Sequence, residues 1–293
     1  MIDRKPLRGR VASGDTVWFA GAQDALSALL VDQSDFDGVF TTGFGVSAAL
    51  LGQPDMELYT LSENLGVVDN IANVVRKPIF ADADTGYGNV LNVVRTVRAF
   101  EKAGAAALQL EDQISPKRCP VAATQPLTLP IAEAVGKVRA AVDARRDPDL
   151  LIVARTDATD PDEAIERLAR YAEAGADLVQ PISRTFDSYD GLVRLREASG
   201  RPLSLILMEG TWMMQLTRPQ IESVAAFATY PLVTLMSMVH AIRTNLDALS
   251  QRRGRPLADL PCGRTTVAEF KQLIGWQAME QQQQQYENGS RPA

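Results

Sequence analysis

Cysteine is nearly absent: Cys119 and Cys262 are the only two in 293 residues. Two thiols are too few for a disulfide framework, and such sparing use fits a reducing cytoplasm. Positive charge is in deficit, with 30 Lys and Arg against 36 Asp and Glu and a formal charge of −6. That balance argues against nucleic acid or an anionic membrane as the main partner. No apolar run approaches the ~20 residues needed to span a bilayer. The first ten residues, Met1 to Arg10, are basic but lead into no apolar segment, so they do not read as a secretory signal. The single histidine, His240, sits among Met238, Val239 and Ile242, and the expectation for it is a packed core or interface position.

What the chain does have is apolar content, 46%, and a central stretch at residues 78–119. Pro78–Ala81 and Ala105–Leu110 are apolar runs too short for helices and read as buried strands. Between them Val90, Val93, Val94, Val97 and Phe100 recur at helical spacing, and Gly104 stops the run. A strand–helix–strand unit makes the two strands parallel neighbours. Each strand ends in acids, Asp82 and Asp84 on the first and Glu111 and Asp112 on the second. Alternation along an extended strand puts Asp82 and Asp84 on one side. A lone strand-end aspartate often only caps a helix. Several crowded together repel, and a hard divalent cation such as Mg²⁺ relieves them.

The same beat runs through the chain. Strands are expected at Thr16–Ala20, Gly38–Phe40, Leu150–Ala154, Asp177–Ile182, Pro202–Met208 and Ala228–Val233. Helices fall between them, among them Ser62–Val75 with Ser62 as N-cap, Pro161–Ala174 capped by Asp160, and Pro219–Ala226. Thr41–Gly45 reads as a glycine-bearing turn whose backbone N–H groups can face an anion. Residues 113–130 carry four prolines and no periodic pattern, and read as a flap over the site. Eight strands alternating with helices predict a (β/α)₈ TIM-type barrel over residues 1–255. A helical segment at 256–286, with Val267, Phe270, Leu273, Ile274 and Trp276, has nothing in its own subunit to cover, and 287–293 reads as a frayed tail.

Taken together, Thr42-Gly43-Phe44-Gly45, Asp82-Ala83-Asp84-Thr85-Gly86-Tyr87-Gly88, Glu111-Asp112-Gln113, Lys117-Arg118-Cys119 and Ala154-Arg155-Thr156-Asp157 resemble the isocitrate lyase/phosphoenolpyruvate mutase superfamily nearly end to end. The resemblance implies a barrel whose C-terminal helix is swapped between subunits of a tetramer or dimer. It implies Mg²⁺, with Mn²⁺ as an alternative, near Asp82 and Asp84 with Glu111 and Asp55 supporting. It implies that Thr42, Gly43 and Phe44 bind the carboxylate of an α-keto-acid unit, with Arg155 and Glu209 also on the substrate. The Lys117-Arg118-Cys119 run is similar to that of the carbon–carbon lyase branch closest to 2-methylisocitrate lyase, where the cysteine acts as a general acid. Lys117 and Arg118 beside it would favour the thiolate.

Two departures bear on the substrate. Lyases of the family continue Cys-Gly-His, but this chain has Cys119-Pro120-Val121. The family's Asn-Met-x-Glu-Gly-Gly appears here as Ile206-Leu207-Met208-Glu209-Gly210-Thr211, followed by Trp212, Met213 and Met214. A polar tricarboxylate against such a wall would lose hydrogen bonds worth ~1–3 kcal/mol each. The expected substrate is therefore a 2-hydroxy acid with fewer carboxylates and a larger apolar part than isocitrate. The alternatives are oxaloacetate or phosphonopyruvate chemistry by decarboxylation, hydrolysis or mutation, and a barrel kept as a binding subunit after losing catalysis.

Overall fold

The computed structural model describes residues 5–118, 127–251 and 256–287. Eight parallel strands close into a barrel in chain order: β1 (Val17–Ala22), β2 (Gly38–Thr41), β3 (Ile79–Asp82), β4 (Ala107–Glu111), β5 (Leu151–Thr156), β6 (Leu178–Pro181), β7 (Leu203–Ile206) and β8 (Ala225–Tyr230). Closure is by β8 against β1, with Val17 opposite Phe227 and Ala20 opposite Tyr230. A (β/α)₈ barrel is thus the fold, as the sequence rhythm predicts. The units are compact over Met1–Leu235 and Met236–Ala293, the second beginning within the helix Val233–Gln251.

Period-two alternation sorts the strand side chains into two environments. Outward residues such as Val39, Ile79, Leu108 and Ile152 pack under the helices on one side of the barrel, and Val179, Leu203 and Leu205 do so on the other. Inward residues fill the lumen in layers. At the amino-terminal end Phe19, Phe40, Phe80 and Phe227 form an aromatic plug with ring centroids 4.8–5.5 Å apart. Leu7, from the helix Lys5–Ser13, packs into the same cluster. Above the plug lie Gln109, Gln180, Ser204 and Thr229, all buried. At the carboxyl ends stand Asp82, Glu111, Arg155 and Asp157. Polarity therefore rises along the barrel axis toward the end where the strand-to-helix loops emerge.

Local signals place the helices. Asn89 caps Val90–Ala103 through a reciprocal box with Asn92, and Gly104, at φ 104°, ends it. Asp160 caps Pro161–Glu173 as expected, with Pro161 at the first position. Three expectations need correction. The helix at 61–72 starts from Thr60 rather than Ser62, because Glu63, three residues on, completes a capping box with Thr60. The final strand lies three residues earlier than expected, at Ala225–Tyr230, since the preceding helix ends at Val224. Residues Gly43–Leu51 are a helix, where the glycines suggest only a turn. His240 is exposed, as are Met236, Met238, Val239 and Ile242, so it is not a core residue.

Candidate active site

The acids at the strand ends do come together, though not by the pleat. β3 ends at Asp82, and Asp84 turns back through a left-handed backbone, φ 49°. Its N–H donates to Asp82 Oδ1 at 3.1 Å. Asp84 is wholly buried and accepts from the phenols of Tyr59, at 2.6 Å, and Tyr87, at 3.0 Å. Lys117, 2% exposed, lays its ammonium in contact with Asp84 and 3.0 Å from Asp55. Burial alone would lower the lysine's pKa, but Asp84, Glu111 and Asp55 outweigh it and hold it well above its ordinary value. The sequence reading gave Lys117 to the Cys119 thiolate. Its charge is instead engaged by the acids.

Among the described residues no cation pairs with Asp82. Its Oδ2 accepts from the Gly43 N–H at 3.3 Å. Burial and the neighbouring Asp84 charge push its carboxyl up to about 6. Gly43 has to be glycine for this approach. A Cβ there would lie 2.6 Å from the Tyr59 hydroxyl and 3.2 Å from Asp82 Oδ2. Gly43 opens the helix Gly43–Leu51, whose N-cap Thr42 makes no side-chain cap bond. The helix start therefore still offers N–H groups and positive dipole beside the acids.

Glu111 is the second anchor. Arg155 bridges it at 3.0 Å and forks onto Asp157 Oδ1 at 2.7 and 3.1 Å. Gln113 donates to Glu111 Oε1 at 3.1 Å and to Asp157 Oδ2 at 2.8 Å. Burial raises Glu111 well above the usual carboxylate range, against the pull of Arg155. Asp112, expected with the other acids, faces away. It accepts from Thr156 and Tyr171 at 2.6 Å each and from the Asp157 N–H at 3.0 Å, a clamp behind the barrel wall.

A cavity of about 380 Å³ opens at this end. Asp55, Asp82, Thr42, Phe44 and Arg155 line one side. Ile182, Ile206, Met208, Pro231 and Leu232 line the other, with Ser183, Arg184, Glu209 and Thr211 also on its wall and Gln109 and Gln180 reaching it from the buried polar layer. Trp212, Met213 and Met214 do not line it. Met213 and Trp212 pack in the outer core and Met214 is exposed. The apolar wall is real, but Met208 and Leu232 build it with Ile206.

Among the described residues no three His, Cys, Asp or Glu side chains converge as a metal-holding group. Lys117 sits between Asp55 and Asp84, and Arg155 between Glu111 and Asp157. The expected quartet of Asp55, Asp82, Asp84 and Glu111 is thus drawn partly onto the protein's own cations. Cys119, with Pro120 and Val121, lies outside the described residues. Arg118 is exposed, and its N–H donates to Gln113 Oε1 at 3.0 Å. The root of the 113–130 loop is stitched down by Glu57, which accepts from Thr85, Ser115 and the Lys117 N–H at 2.6, 2.7 and 2.9 Å. Sequence reasoning missed Tyr59 and Glu57 altogether, for neither carries a local signal. Tyr87, Gln113 and Asp157 stood inside recognised motifs without an assigned role.

The phosphoenolpyruvate phosphomutase family model matches residues 7–246. The chain belongs to the phosphoenolpyruvate mutase/isocitrate lyase superfamily. It is 36% identical over 287 residues to the 2,3-dimethylmalate lyase of Eubacterium barkeri, covering 97% of this chain and 98% of that one. To the 2-methylisocitrate lyase of Aeropyrum pernix it is 36% identical over 281 residues, covering 94% and 88%. A phosphonopyruvate hydrolase solved with oxalate and Mg²⁺ superposes with a TM-score of 0.86 at 31% identity, covering 98% of this chain and 99% of that one. As a superfamily member the protein is an enzyme, and lyase is what the two sequence relatives are named for. No helix among the described residues is long and apolar enough to cross a membrane.

Proposed function

We propose that the protein is a Mg²⁺-dependent carbon–carbon lyase acting on an alkyl-substituted 2-hydroxy dicarboxylic acid of the dimethylmalate type. The products are an α-keto acid and a short monocarboxylic acid. The observation that carries this reading is the two-sided cavity, with acids, Arg155 and a helix start on one side and Ile182, Ile206, Met208 and Leu232 on the other. The charged side suits a 2-oxo or 2-hydroxy carboxylate, and the apolar side suits alkyl groups rather than a third carboxylate.

The residues fit a divalent cation. Among the described residues Asp55, Asp82, Asp84, Glu111 and Asp157 meet two cations, Lys117 and Arg155, so acids outnumber bases in the cluster. Asp55 Oδ1 and Glu111 Oε2 are buried and accept no aligned hydrogen bond, their contacts being the ion pairs with Lys117 and Arg155 at 3.0 Å each. These hard oxygens match Mg²⁺, with Mn²⁺ as its substitute. Asp82 and Asp84 would hold the ion, with Asp55 and Glu111 supporting. When bound it supplies Lewis-acid polarisation of the keto or hydroxy oxygen.

The chain's own groups do the rest. The N–H groups at Thr42, Gly43 and Phe44, with Arg155, hold the keto-acid carboxylate. Arg184, Ser183 and Glu209 on the opposite wall bind the far end of the substrate. As the hydroxyl proton passes to Glu111, the C2–C3 bond breaks, its electron pair passes to the departing fragment, and Cys119 protonates that fragment. Assay of pyruvate release from 2,3-dimethylmalate, 2-methylisocitrate, oxaloacetate and phosphonopyruvate tests the reading. The expected result is preference for the dimethylmalate type, with Cys119→Ser slowed about 10²–10⁴-fold. Faster turnover of oxaloacetate or phosphonopyruvate would replace lyase activity by the second chemistry.

The second unit supports an oligomer, a tetramer or dimer with exchanged C-terminal helices. Val267 and Phe270 on the helix Val267–Leu273, Ile274 at its C-cap, and Trp276 and Met279 on the helix Trp276–Glu287 are exposed. Another copy of this chain covers them in this proposal. Light scattering is expected to give a multiple of the chain mass, and Phe270→Asp with Trp276→Asp to lower it. A monomer in both samples would remove the swap.

A further inference from the structure

One buried polar layer has no part in the chemistry above. Gln109 lies on β4 two residues below Glu111, so both side chains enter the lumen. It is the register partner of Asp82 across β3 and β4, and it lines the cavity beneath the acids. Its Oε1 accepts from Gln180 Nε2 at 2.6 Å. Gln180 Oε1 accepts from the Ser204 hydroxyl, also at 2.6 Å. All three side chains are at most 1% exposed. The chain has a direction. The Ser204 hydroxyl donates to the oxygen of Gln180, which faces β7, and the Gln180 NH₂ points toward β4. That NH₂ fixes the oxygen of Gln109, and Gln109 Nε2 is left as the free end. It finds no acceptor among the described residues.

An amide suits this place for a physical reason. A cation beside Asp82 would be claimed by the carboxylate, as Lys117 is by Asp84 and Arg155 by Asp157. An amide carries no net charge and does not titrate, so its N–H bonds stay available to a ligand oxygen. Gln109 lines the cavity, so a ligand oxygen seated on its floor would take this N–H bond in place of solvent.

We infer that Gln109 is the neutral donor that reads an oxygen of the 2-oxo-carboxylate unit at the cavity floor, with Gln180 and Ser204 as its positioning residues. This rests on the keto-acid reading of the site. The ligand class is a small planar oxo-carboxylate, of which oxalate is the simplest probe.

Calorimetric titration of oxalate in Mg²⁺ buffer, on the whole chain, tests it. Gln109→Met, of similar volume, is expected to weaken oxalate binding about tenfold, the loss of one buried hydrogen bond. Ser204→Ala leaves the cavity lining unchanged and frees only the orientation of Gln180, so a loss of about two- to fivefold is expected, with KM raised more than kcat is lowered. Wild-type protein that fails to bind oxalate would overturn the keto-acid reading itself. Wild-type binding matched by Gln109→Met would overturn this inference and leave the lyase proposal standing. If Gln109→Met does not fold, Ser204→Ala decides: unchanged oxalate affinity and an unchanged KM sink the positioning role.

Discussion

Lys117→Met is expected to lower the unfolding free energy in metal-free buffer by about 3–5 kcal/mol, the cost of removing one partner from a buried ion pair. The ammonium is buried between Asp55 and Asp84, and among the described residues no other cation pairs with either of them. Methionine fills much of the lysine's volume but leaves two carboxylates uncompensated. Added Mg²⁺ is expected to restore part of the loss, because a ligand of the folded state stabilises it by mass action and a double charge replaces the single one. Urea unfolding with EDTA and with excess Mg²⁺ reads both effects. A midpoint that does not move in EDTA would show that the ammonium is not what keeps these acids together. A variant destabilised equally in both buffers would argue that the acids hold no divalent ion.

Arg155→Lys is expected to cut kcat/KM by about 10²–10³, or ~2.7–4 kcal/mol of transition-state stabilisation. The guanidinium spans Glu111 and Asp157 with three contacts between 2.7 and 3.1 Å and still lines the cavity. Burial pulls its pKa down, but Asp157 and Glu111 outweigh that and hold it above the ordinary value, so it stays charged beside the substrate. An ammonium is a point charge with no planar fork, and it satisfies one carboxylate at the expense of the other. Steady-state kinetics on the best substrate of the panel, with circular dichroism as a control for folding, measures this. Activity within twofold of wild type would mean that Arg155 serves the barrel wall rather than the ligand.

The two unlike sides of the cavity also explain how one barrel frame can support related reactions. In the proposed reading, acids and arginine at the ends of β3, β4 and β5 would form the side that holds the keto-acid unit. Residues at and after the ends of β6, β7 and β8 would then set what hangs from it. Ile206 and Met208 belong to this second side, and their apolar character is what points away from a tricarboxylate.

Much of this was legible along the chain, because strand and helix periodicity are local. Short apolar runs ending in acids located β3 and β4, and Gly104, Asp160 and Pro161 marked helix limits within a residue or so. What was not legible came from contacts across long separations. Tyr59 meets Asp84 from 25 residues away, and Lys117 meets Asp55 from 62. Asp112 carries the same charge as Glu111 and follows it directly, yet the alternation of β4 sends one into the lumen and the other behind the wall. Trp212 and Met213 looked like cavity wall in the sequence but turn away into the outer core.

By itself, the sequence determined the eightfold alternation and the presence of acids at the strand ends, since each follows from residue type and spacing within one or two turns of chain, while the family came from the resemblance of its motifs. Only the tertiary structure decided which acids Lys117 and Arg155 hold, that among the described residues no cation pairs with Asp82, and that a glutamine lies beneath it. Those outcomes depend on barrel closure, which sets side chains from different strands within hydrogen-bonding distance and buries most of each from bulk solvent.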